Sequence, residues 1–178
     1  MNRRLLSAIL AATFVAGSAA IPAATVAVPR PDAPAAEAYQ PDSVECAVLK
    51  KINAFRKKAG APSLRLSQPL GDAARHHSED MAERNYFSHD LKGGTTWEEN
   101  IRDFGYSGDP VGENIAAGQE SAAEVFDAWR TSKGHRKNML DGDFRAIGIA
   151  RAYDRNAKYG WYWTTTFGGD VEREVSCR

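Results

Sequence analysis

Residues 112–140 have the sequence GENIAAGQESAAEVFDAWRTSKGHRKNML. In this stretch the carboxylate of Glu113 and the imidazole of His135 each follow a glycine directly. Glycine lacks a Cβ atom, so its backbone can approach a ligand or another segment closely. The pattern predicts that both polar groups lie on irregular backbone and meet at one cleft.

A short helix is predicted between these two residues. Ser121 and Glu124 have the spacing of a capping box, which fixes the start of a helix. Gly134 is expected to end it. His135 would then follow the helix C-terminus, where the partial negative charge favours an imidazolium or a bound cation. The apolar residues of the helix share one face, which predicts packing against a core: Val125, Phe126 and Trp129.

The composition predicts one compact domain. The chain has 178 residues, 43% of them hydrophobic, which is enough for one core of ordinary size. Its 23 basic and 23 acidic residues balance. This balance excludes the basic footprint of a nucleic-acid-binding protein and the basic tract that would hold a membrane surface. We expect a monomer that binds no nucleic acid.

The N-terminus has the pattern of a secretory signal. Two arginines precede an apolar run at residues 5–20, and small residues follow. Residues 1–27 are therefore predicted to be a signal peptide, cleaved after Ala20 or after Ala27. A retained anchor helix is the alternative, but the run is shorter than the ~20 apolar residues that span a bilayer. Cleavage would leave a secreted, extracellular protein with no transmembrane segment.

The folded domain is expected to occupy residues 42–178. Residues 28–41 are rich in proline and alanine, and they are predicted to be a disordered linker because this composition cannot bury a core. The first helix of the domain is capped by Asp42 or Ser43 and ends at Gly60.

The second predicted helix carries two adjacent histidines. Its apolar face runs from Ser67 to about Arg84 and includes His77, whereas His76 lies on a more polar face. A single histidine on an apolar face is usually a packed residue with one hydrogen bond, so His77 is interpreted as structural and His76 as solvated. The preceding residues 63–67, SLRLS, are too few to predict more than an extended connector.

A third histidine, His89, follows the end of this helix and lies in no periodic apolar pattern. Histidines in loops beside aromatic residues often line clefts. A surface histidine that is hydrogen-bonded to a turn is the alternative interpretation.

The C-terminal third of the chain predicts a small sheet between helices. A capping box at Thr95–Glu98 or at Thr96–Glu99 opens a third helix before it. Residues 144–153 and 160–169, FRAIGIARAY and GWYWTTTFGG, are rich in β-branched and aromatic residues and predict a hairpin. Side chains are bulky on both faces of the second strand, which predicts helices on either side.

The two cysteines of the chain are Cys46 and Cys177. In an oxidising compartment this pair is predicted to form a disulfide that ties the start of the domain to its end. Closing so long a loop contributes roughly 4–5 kcal/mol in the chain-entropy model. A reactive or metal-binding thiol is the alternative, but neither cysteine has a Cys or His neighbour at ligand spacing.

The motifs of the chain occur in a recognisable order: HHSEDMA, FSH, GENIAAG, VFDAW, GHRKNML, IGIA and YWTTTFG. From residue 42 to residue 169 this order closely resembles the CAP superfamily (cysteine-rich secretory proteins, antigen 5 and pathogenesis-related proteins), whose unit is the SCP domain. The resemblance is to its short bacterial secreted members in particular. It implies an α+β fold, a three-layer α-β-α sandwich with a small antiparallel sheet between helices.

The resemblance also implies a central cleft in which two histidines and two acidic residues meet. His89 corresponds to the first histidine of that cleft, Glu113 to its first glutamate and His135 to its second histidine. Ser132 stands where members outside the short bacterial group have a second glutamate. The fourth group is therefore missing or supplied elsewhere.

Two imidazoles and one carboxylate form a ligand set for Zn²⁺ or another divalent cation with open coordination positions. A bound metal would polarise a carbonyl or activate water, with Glu113 as ligand or general base, which describes a hydrolase acting on peptide or cell-wall material. A nucleophilic alternative uses Ser132 with His135 and Glu113. However, no nucleophile elbow or oxyanion-hole motif surrounds Ser132.

A structural role is the other interpretation of Glu113, because a buried His–Glu pair can hold a fold together without catalysis. Members of the resembled family are described mostly as extracellular binding or signalling modules, with lipid or sterol binding in some. The leading hypothesis is a secreted binding module, not an enzyme, with a metal-capable His/Glu cleft and a lipid, peptide or envelope component as ligand. The hydrolase, a lipid or sterol binder and an envelope-adhesion protein are the alternatives.

Overall fold

The computed structural model describes residues 38–178. The predicted signal peptide and most of the predicted linker lie outside these residues. In chain order the described elements are α1 (Ser43–Lys58), β1 (Arg65–Ser67), α2 (Gln68–Glu83), α3 (Trp97–Asp103), β2 (Val111–Ala117), α4 (Ala122–Thr131), α5 (Lys133–Leu140), β3 (Ala146–Tyr153), β4 (Trp161–Gly168) and β5 (Glu174–Val175). The predicted α+β class is confirmed.

The helix starts follow the capping signals of the sequence. Asp42 caps α1, Thr96 caps α3 and Ser121 caps α4, each in a complete capping box. Of the two overlapping boxes before α3, the structure uses the one at Thr96–Glu99. These local bonds satisfy N–H groups that have no partner inside the helix, which is why three helix starts were predictable from sequence.

Five strands form one sheet in the order β2-β4-β3-β1-β5. The predicted hairpin of β3 and β4 is confirmed, with Ile149 opposite Thr165. The prediction of a mere connector at residues 63–67 is wrong, because β1 pairs in parallel with β3 through Leu66 and Ile147. A parallel pairing with a strand so distant in sequence leaves no local signal in a three-residue segment.

Strand β4 is covered on both faces, which confirms the prediction of helices on either side of the sheet. Trp163 and Phe167 belong to a core cluster with residues of α1 and α4. Thr164 and Thr166 point the other way, where Ser78 Oγ donates to Thr164 Oγ1 and Thr166 Oγ1 donates to the carbonyl of Leu70. The alternation of one strand therefore separates two helical layers.

Helix α2 packs directly against β3. A Cβ atom added at Gly148 would lie 2.1 Å from the carbonyl carbon of Leu70. This distance is a severe clash, and backbone atoms cannot move aside to relieve it. Only glycine allows this approach of helix and sheet. The packing brings the inward face of α2, including His77, onto the sheet beside β2.

The packed chain begins before residue 42. Tyr39, within the predicted linker, is 1% exposed, and its hydroxyl donates to the carbonyl of Ile149 at 2.6 Å. The Tyr39 ring lies over Gly71, where any side chain would clash with it. The domain boundary predicted at residue 42 therefore needs moving to include Tyr39, because one aromatic residue in a Pro/Ala-rich segment carries a core contact.

A buried arginine joins four segments. Arg56 of α1 is fully buried, and its Nε donates to Pro62 O at 2.6 Å. One terminal nitrogen donates to Met139 O and Asp141 O, and the other to Phe144 O. These acceptors include the C-terminal carbonyls of α5, whose partial negative charge favours a cation. Arg56 thereby fixes the end of α5 against α1.

The predicted disulfide is confirmed. Cys46 in α1 is bonded to Cys177, with their Cα atoms 5.9 Å apart. Among the described residues there is no free cysteine. The bond attaches the end of the chain, beyond edge strand β5, to the first helix.

We predict that Arg56→Met destabilises the domain by at least about 3 kcal/mol, because several buried carbonyls would lose their donor at once. Urea denaturation followed by tryptophan fluorescence measures the loss. The matched control is Arg130→Met, which removes a half-exposed arginine of α4 paired with Asp127. It should cost less than about 1 kcal/mol, and equal losses in the two variants would contradict the anchoring role of Arg56.

Candidate functional site

Glu113 lies on strand β2 rather than on the predicted irregular path. It pairs opposite Thr166 of β4. Residues directly opposite one another in an antiparallel pair share a face, so the Glu113 side chain points toward α2, as Thr166 does. The sequence VGENIAA lacks the clear alternation of a half-buried strand, because both of its faces are covered.

The carboxylate of Glu113 is shared by two imidazoles. Oε2 lies 2.8 Å from His77 Nδ1, and Oε1 lies 2.8 Å from His89 Nδ1. The side chains of His77 and Glu113 are 0% and 1% exposed, whereas that of His89 is 48% exposed. A buried carboxylate thus holds one histidine inside the core and one at the surface of the cleft.

His77 is a packed core residue, as predicted, but with two hydrogen bonds instead of one. Its Nε2 donates to the carbonyl of Ser88 at 3.1 Å, since a carbonyl can only accept. Nδ1 faces Glu113, so the ring has no free nitrogen. Sequence reasoning missed His77 as a site residue. The available signal was its inward position on a helix that packs on the sheet, where a buried imidazole requires polar partners.

His76 is also less isolated than predicted. It is exposed, but its Nδ1 lies 2.7 Å from Oδ1 of Asn100 in α3. Asn100 in turn donates to the carbonyl of Ala73. This contact links α2 to α3 and has no direct contact with Glu113.

His135 belongs to a helix, which corrects the prediction that it follows one. Helix α4 ends at Thr131, and Ser132 has extended backbone between α4 and α5. Gly134 and His135 therefore lie in the first turn of α5. This end of a helix carries partial positive charge, the opposite of the predicted environment.

Two asparagines hold α5 against β2 beside Glu113. Asn138 Nδ2 donates to the backbone carbonyl of Glu113 at 2.9 Å and to Oδ1 of Asn114 at 3.0 Å. Asn114 Nδ2 donates to the backbone carbonyl of His135 at 3.1 Å. Sequence reasoning did not assign a role to either asparagine, although both lie in the motifs GENIAAG and GHRKNML. Their network fixes the backbone of His135 relative to the carboxylate.

The pKa values of the two cleft histidines, His89 and His135, are shifted in opposite directions. The hydrogen bond that His89 donates to Glu113 raises the pKa of His89 above its usual value, against a smaller effect of burial. Burial lowers the pKa of His135, and the positive charge of His89 lowers it further. The cleft therefore favours protonation of His89 over protonation of His135.

The nucleophilic arrangement is not assembled. Glu113 contacts His77 and His89, so it does not orient His135. Within residues 38–178, no hydrogen bond joins Ser132 to His135. Both side chains instead line a cavity of about 310 Å³ at the edge of β2.

The three predicted metal ligands, His89, Glu113 and His135, do not converge on one point. Within residues 38–178, no three His, Cys, Asp or Glu side chains are placed to share one ion. Both Glu113 oxygens face imidazoles, so Glu113 lies behind His89 and not beside it. The free nitrogens that suit a divalent cation are Nε2 of His89 and the imidazole of His135.

Comparison with known proteins decides the family. The family model "CAP: Cysteine-rich secretory protein family" matches residues 49–167. The chain belongs to the CAP family. This confirms the resemblance drawn from the order of the sequence motifs.

Relatives of this CAP domain include bacterial proteins. The Bacillus subtilis (strain 168) protein "Uncharacterized protein YkwD" is 38% identical over 122 residues, 68% of this chain and 46% of the relative. A solved extracellular protein containing a SCP domain from Bacillus anthracis is 29% identical with a TM-score of 0.63, over 71% of this chain and 40% of that one. An outer surface protein from Borrelia burgdorferi, 24% identical with a TM-score of 0.65, shares the fold over 76% of this chain and 98% of that one.

The chain spans less than half the length of the first two of these relatives. Within residues 38–178, no helix has the length and apolar content needed to cross a membrane.

We predict that Glu113→Gln lowers the pKa of His89, because the carboxylate is the main cause of the raised value. Proton-detected NMR titration of the histidine ring signals measures it. His89→Asn is the complementary variant, in which the pKa of His135 should rise because a neighbouring positive charge is gone. Unchanged pKa values in both variants would contradict the electrostatic coupling of the cleft.

The His89–Glu113 contact should also make stability depend on pH. A folded-state pKa raised above about 6.5 means that the contact contributes fully below pH ~6.5 and is lost as pH rises through the raised value. The stability difference between the native protein and His89→Asn should therefore shrink from pH 5 to pH 9. Urea denaturation across this range tests the sign, and a difference that grows with pH would contradict it.

Proposed function

We propose that this CAP domain is a secreted binding module whose cleft holds a divalent metal through the imidazoles of His89 and His135. The observation that carries the proposal is the buried carboxylate of Glu113, which accepts from Nδ1 of His89 and leaves Nε2 toward the cleft. A carboxylate behind a histidine is the usual second-layer support of a metal ligand.

The residues behind the cleft would orient the imidazoles of His89 and His135. Glu113 fixes the tautomer of His89, so the lone pair is on Nε2 when the ring is neutral. Asn114 and Asn138 hold the backbone of His135 to β2. A divalent cation bound to these two imidazoles would supply Lewis-acid polarisation of a ligand oxygen.

An extracellular location is supported by two observations. The Cys46–Cys177 bond requires an oxidising compartment to form and persist. The SCP-domain protein of Bacillus anthracis is described as extracellular, and the Borrelia burgdorferi neighbour as an outer surface protein.

The hydrolase is the second candidate, in a form that differs from the one predicted from sequence. Both oxygens of Glu113 face imidazoles, so Glu113 is poorly placed to act as the general base itself. His89 would take that role, because a half-exposed imidazole oriented by a buried carboxylate has the geometry of a base with its orienting group.

Lipid binding is supported by a separate groove between α1 and α4. Phe55 and Phe126 meet edge to face there, with ring centroids 5.9 Å apart, beside a cavity of about 450 Å³. Three basic side chains also line it: Lys51, Lys58 and Arg130. An apolar floor with cationic walls suits an anionic amphiphile such as a fatty acid.

We expect Zn²⁺ to bind the metal-stripped protein saturably and to lose that binding in a His89→Ala, His135→Ala double variant. Isothermal titration calorimetry measures the binding, and circular dichroism establishes that the variant is folded. His76→Ala is the matched control, because His76 neighbours the site in sequence but contacts Asn100 instead. Equal binding in the native protein and the double variant would remove the metal site.

Turnover assays distinguish a binding module from a hydrolase. Labelled peptide and cell-wall substrates are incubated with the Zn²⁺-loaded protein, His89→Ala and Glu113→Gln. A binding module shows no turnover in any of the three. Turnover that falls in both variants would replace the binding-module proposal with the hydrolase.

A further inference from the structure

The free edge of β2 decides what this cleft can hold. Strand β2 lies at one end of the sheet, with β4 as its one neighbour. Gly118 donates its backbone N–H to the carbonyl of Trp161, the first residue of β4, at 2.9 Å. Counting back from Gly118, every second residue of β2 also directs its backbone groups toward β4. The residues between them, Glu113, Ile115 and Ala117, direct their backbone N–H and C=O groups away from the sheet.

Helices α4 and α5 cover part of this edge. Asn138 Nδ2 donates to the carbonyl of Glu113, and Trp129 Nε1 donates to the carbonyl of Ile115 at 3.1 Å. Ala117 comes next and is partly exposed. Within residues 38–178, its outward N–H and C=O groups have no hydrogen-bond partner. The edge is therefore closed toward Glu113 and open at Ala117.

A second unpaired polar group lies beside Ala117. The side-chain oxygen Oε1 of Gln119 is buried and has no partner among the described residues. The Gln119 backbone is fixed, since its carbonyl accepts from Trp163 Nε1 at 2.7 Å. A buried acceptor without a donor costs about 1–3 kcal/mol. A ligand N–H group at this position would remove that cost.

The cavity of about 310 Å³ adjoins the open edge and is mainly apolar. Ile115 and Trp129 form part of its wall. Phe87 and Tyr159 also line it; they are 47% and 40% exposed, with ring centroids 6.1 Å apart in an edge-to-face contact. The cavity offers an apolar ligand side chain a place beside the open backbone groups.

The charged side chain next to the cavity is basic. Lys158 Nζ stands over the ring of the lining residue Tyr159 at 4.9 Å, and no carboxylate lies among the lining residues. A ligand with acidic groups is therefore favoured over one with basic groups.

We propose that the cleft binds an extended, acidic peptide segment, which pairs with β2 at Ala117 and inserts one apolar side chain between Phe87, Trp129 and Tyr159. The inference rests on the binding-module part of the proposed function and names its ligand. Strand addition at a sheet edge, with a neighbouring pocket for one side chain, is a recurring way of binding peptides. A polysaccharide lacks the regular N–H and C=O groups that Ala117 and Gln119 would pair with.

The test uses short capped peptides in which glutamate alternates with leucine or with phenylalanine, titrated into the isotope-labelled protein and followed by NMR. Saturable shifts at Phe87, Ala117 and Gln119 are expected. Two control peptides carry N-methyl groups at alternate residues, so that each blocks one edge of the extended backbone. One of the two should bind at least about tenfold more weakly, the effect of one lost hydrogen bond. Lysine in place of glutamate should also weaken binding.

Protein variants complete the test. Gln119→Leu removes the unpaired acceptor, and Ala117→Pro removes an N–H that the sheet does not use. Each should weaken peptide binding about tenfold, whereas Glu120→Gln, at an exposed neighbouring position, should leave it unchanged. Zn²⁺ titration of the same variants separates the two proposals, since the metal is held by His89 and His135. Peptide binding without Zn²⁺ binding would sustain this inference and remove the metal site.

Three results would overturn the inference. The first is no binding of either glutamate peptide at millimolar concentration while Zn²⁺ still binds. The second is equal binding of the plain and both N-methylated peptides, which would show that backbone pairing is not used. The third is binding of cell-wall glycan fragments, with shifts at the same residues, in preference to every peptide.

Discussion

The pairing of β2 with β4 determines the chemistry of the cleft. With Glu113 opposite Thr166, the carboxylate points to the α2 layer and meets His77 and His89. The next residue, Asn114, points to the other layer and meets α5. A slip of one residue would exchange the two faces. It would leave a carboxylate in the layer of α5 and an amide between two imidazoles.

Helix α5 is held to its neighbours near both ends. Arg56 binds the carbonyls at its C-terminal end, and Asn114 and Asn138 bind it to β2 near its first turn. The hydrogen bonds of the Arg56 guanidinium all go to backbone carbonyls, and the nearby Asp141 carboxylate also attracts it. The His135 side chain can change rotamer, but its backbone is held.

Signals local to each segment were sufficient to predict much of the fold. Capping residues predicted three helix starts, two of them as capping boxes. The β-branched and aromatic runs predicted the hairpin, and two cysteines in a predicted secreted chain predicted their bond. These features depend on residues that are close in sequence or few in number. Strand β1 was missed because its pairing depends on β3, which is distant in sequence. The break between α4 and α5 was missed because it consists of one extended residue, Ser132, with no proline to mark it.

The sequence motifs named three residues of the candidate site but not their arrangement. His89, Glu113 and His135 come from three separate segments, and their motifs identified them. The role of His77 depends on the strand that α2 packs against. The periodicity of a helix predicts which face is buried but not which residues it meets. The order of contacts around Glu113 follows from the register of β2, which no single segment specifies.

The bond between Cys46 and Cys177 closes a covalent ring that contains every strand of the sheet and the helices α2 to α5. A protease that cuts one exposed loop inside this ring opens the chain but releases no fragment. The two pieces stay joined at α1, so the sheet can remain assembled after a single cut. Outside the cell, where proteases are common and replacement is slow, such a ring lengthens the working life of a domain.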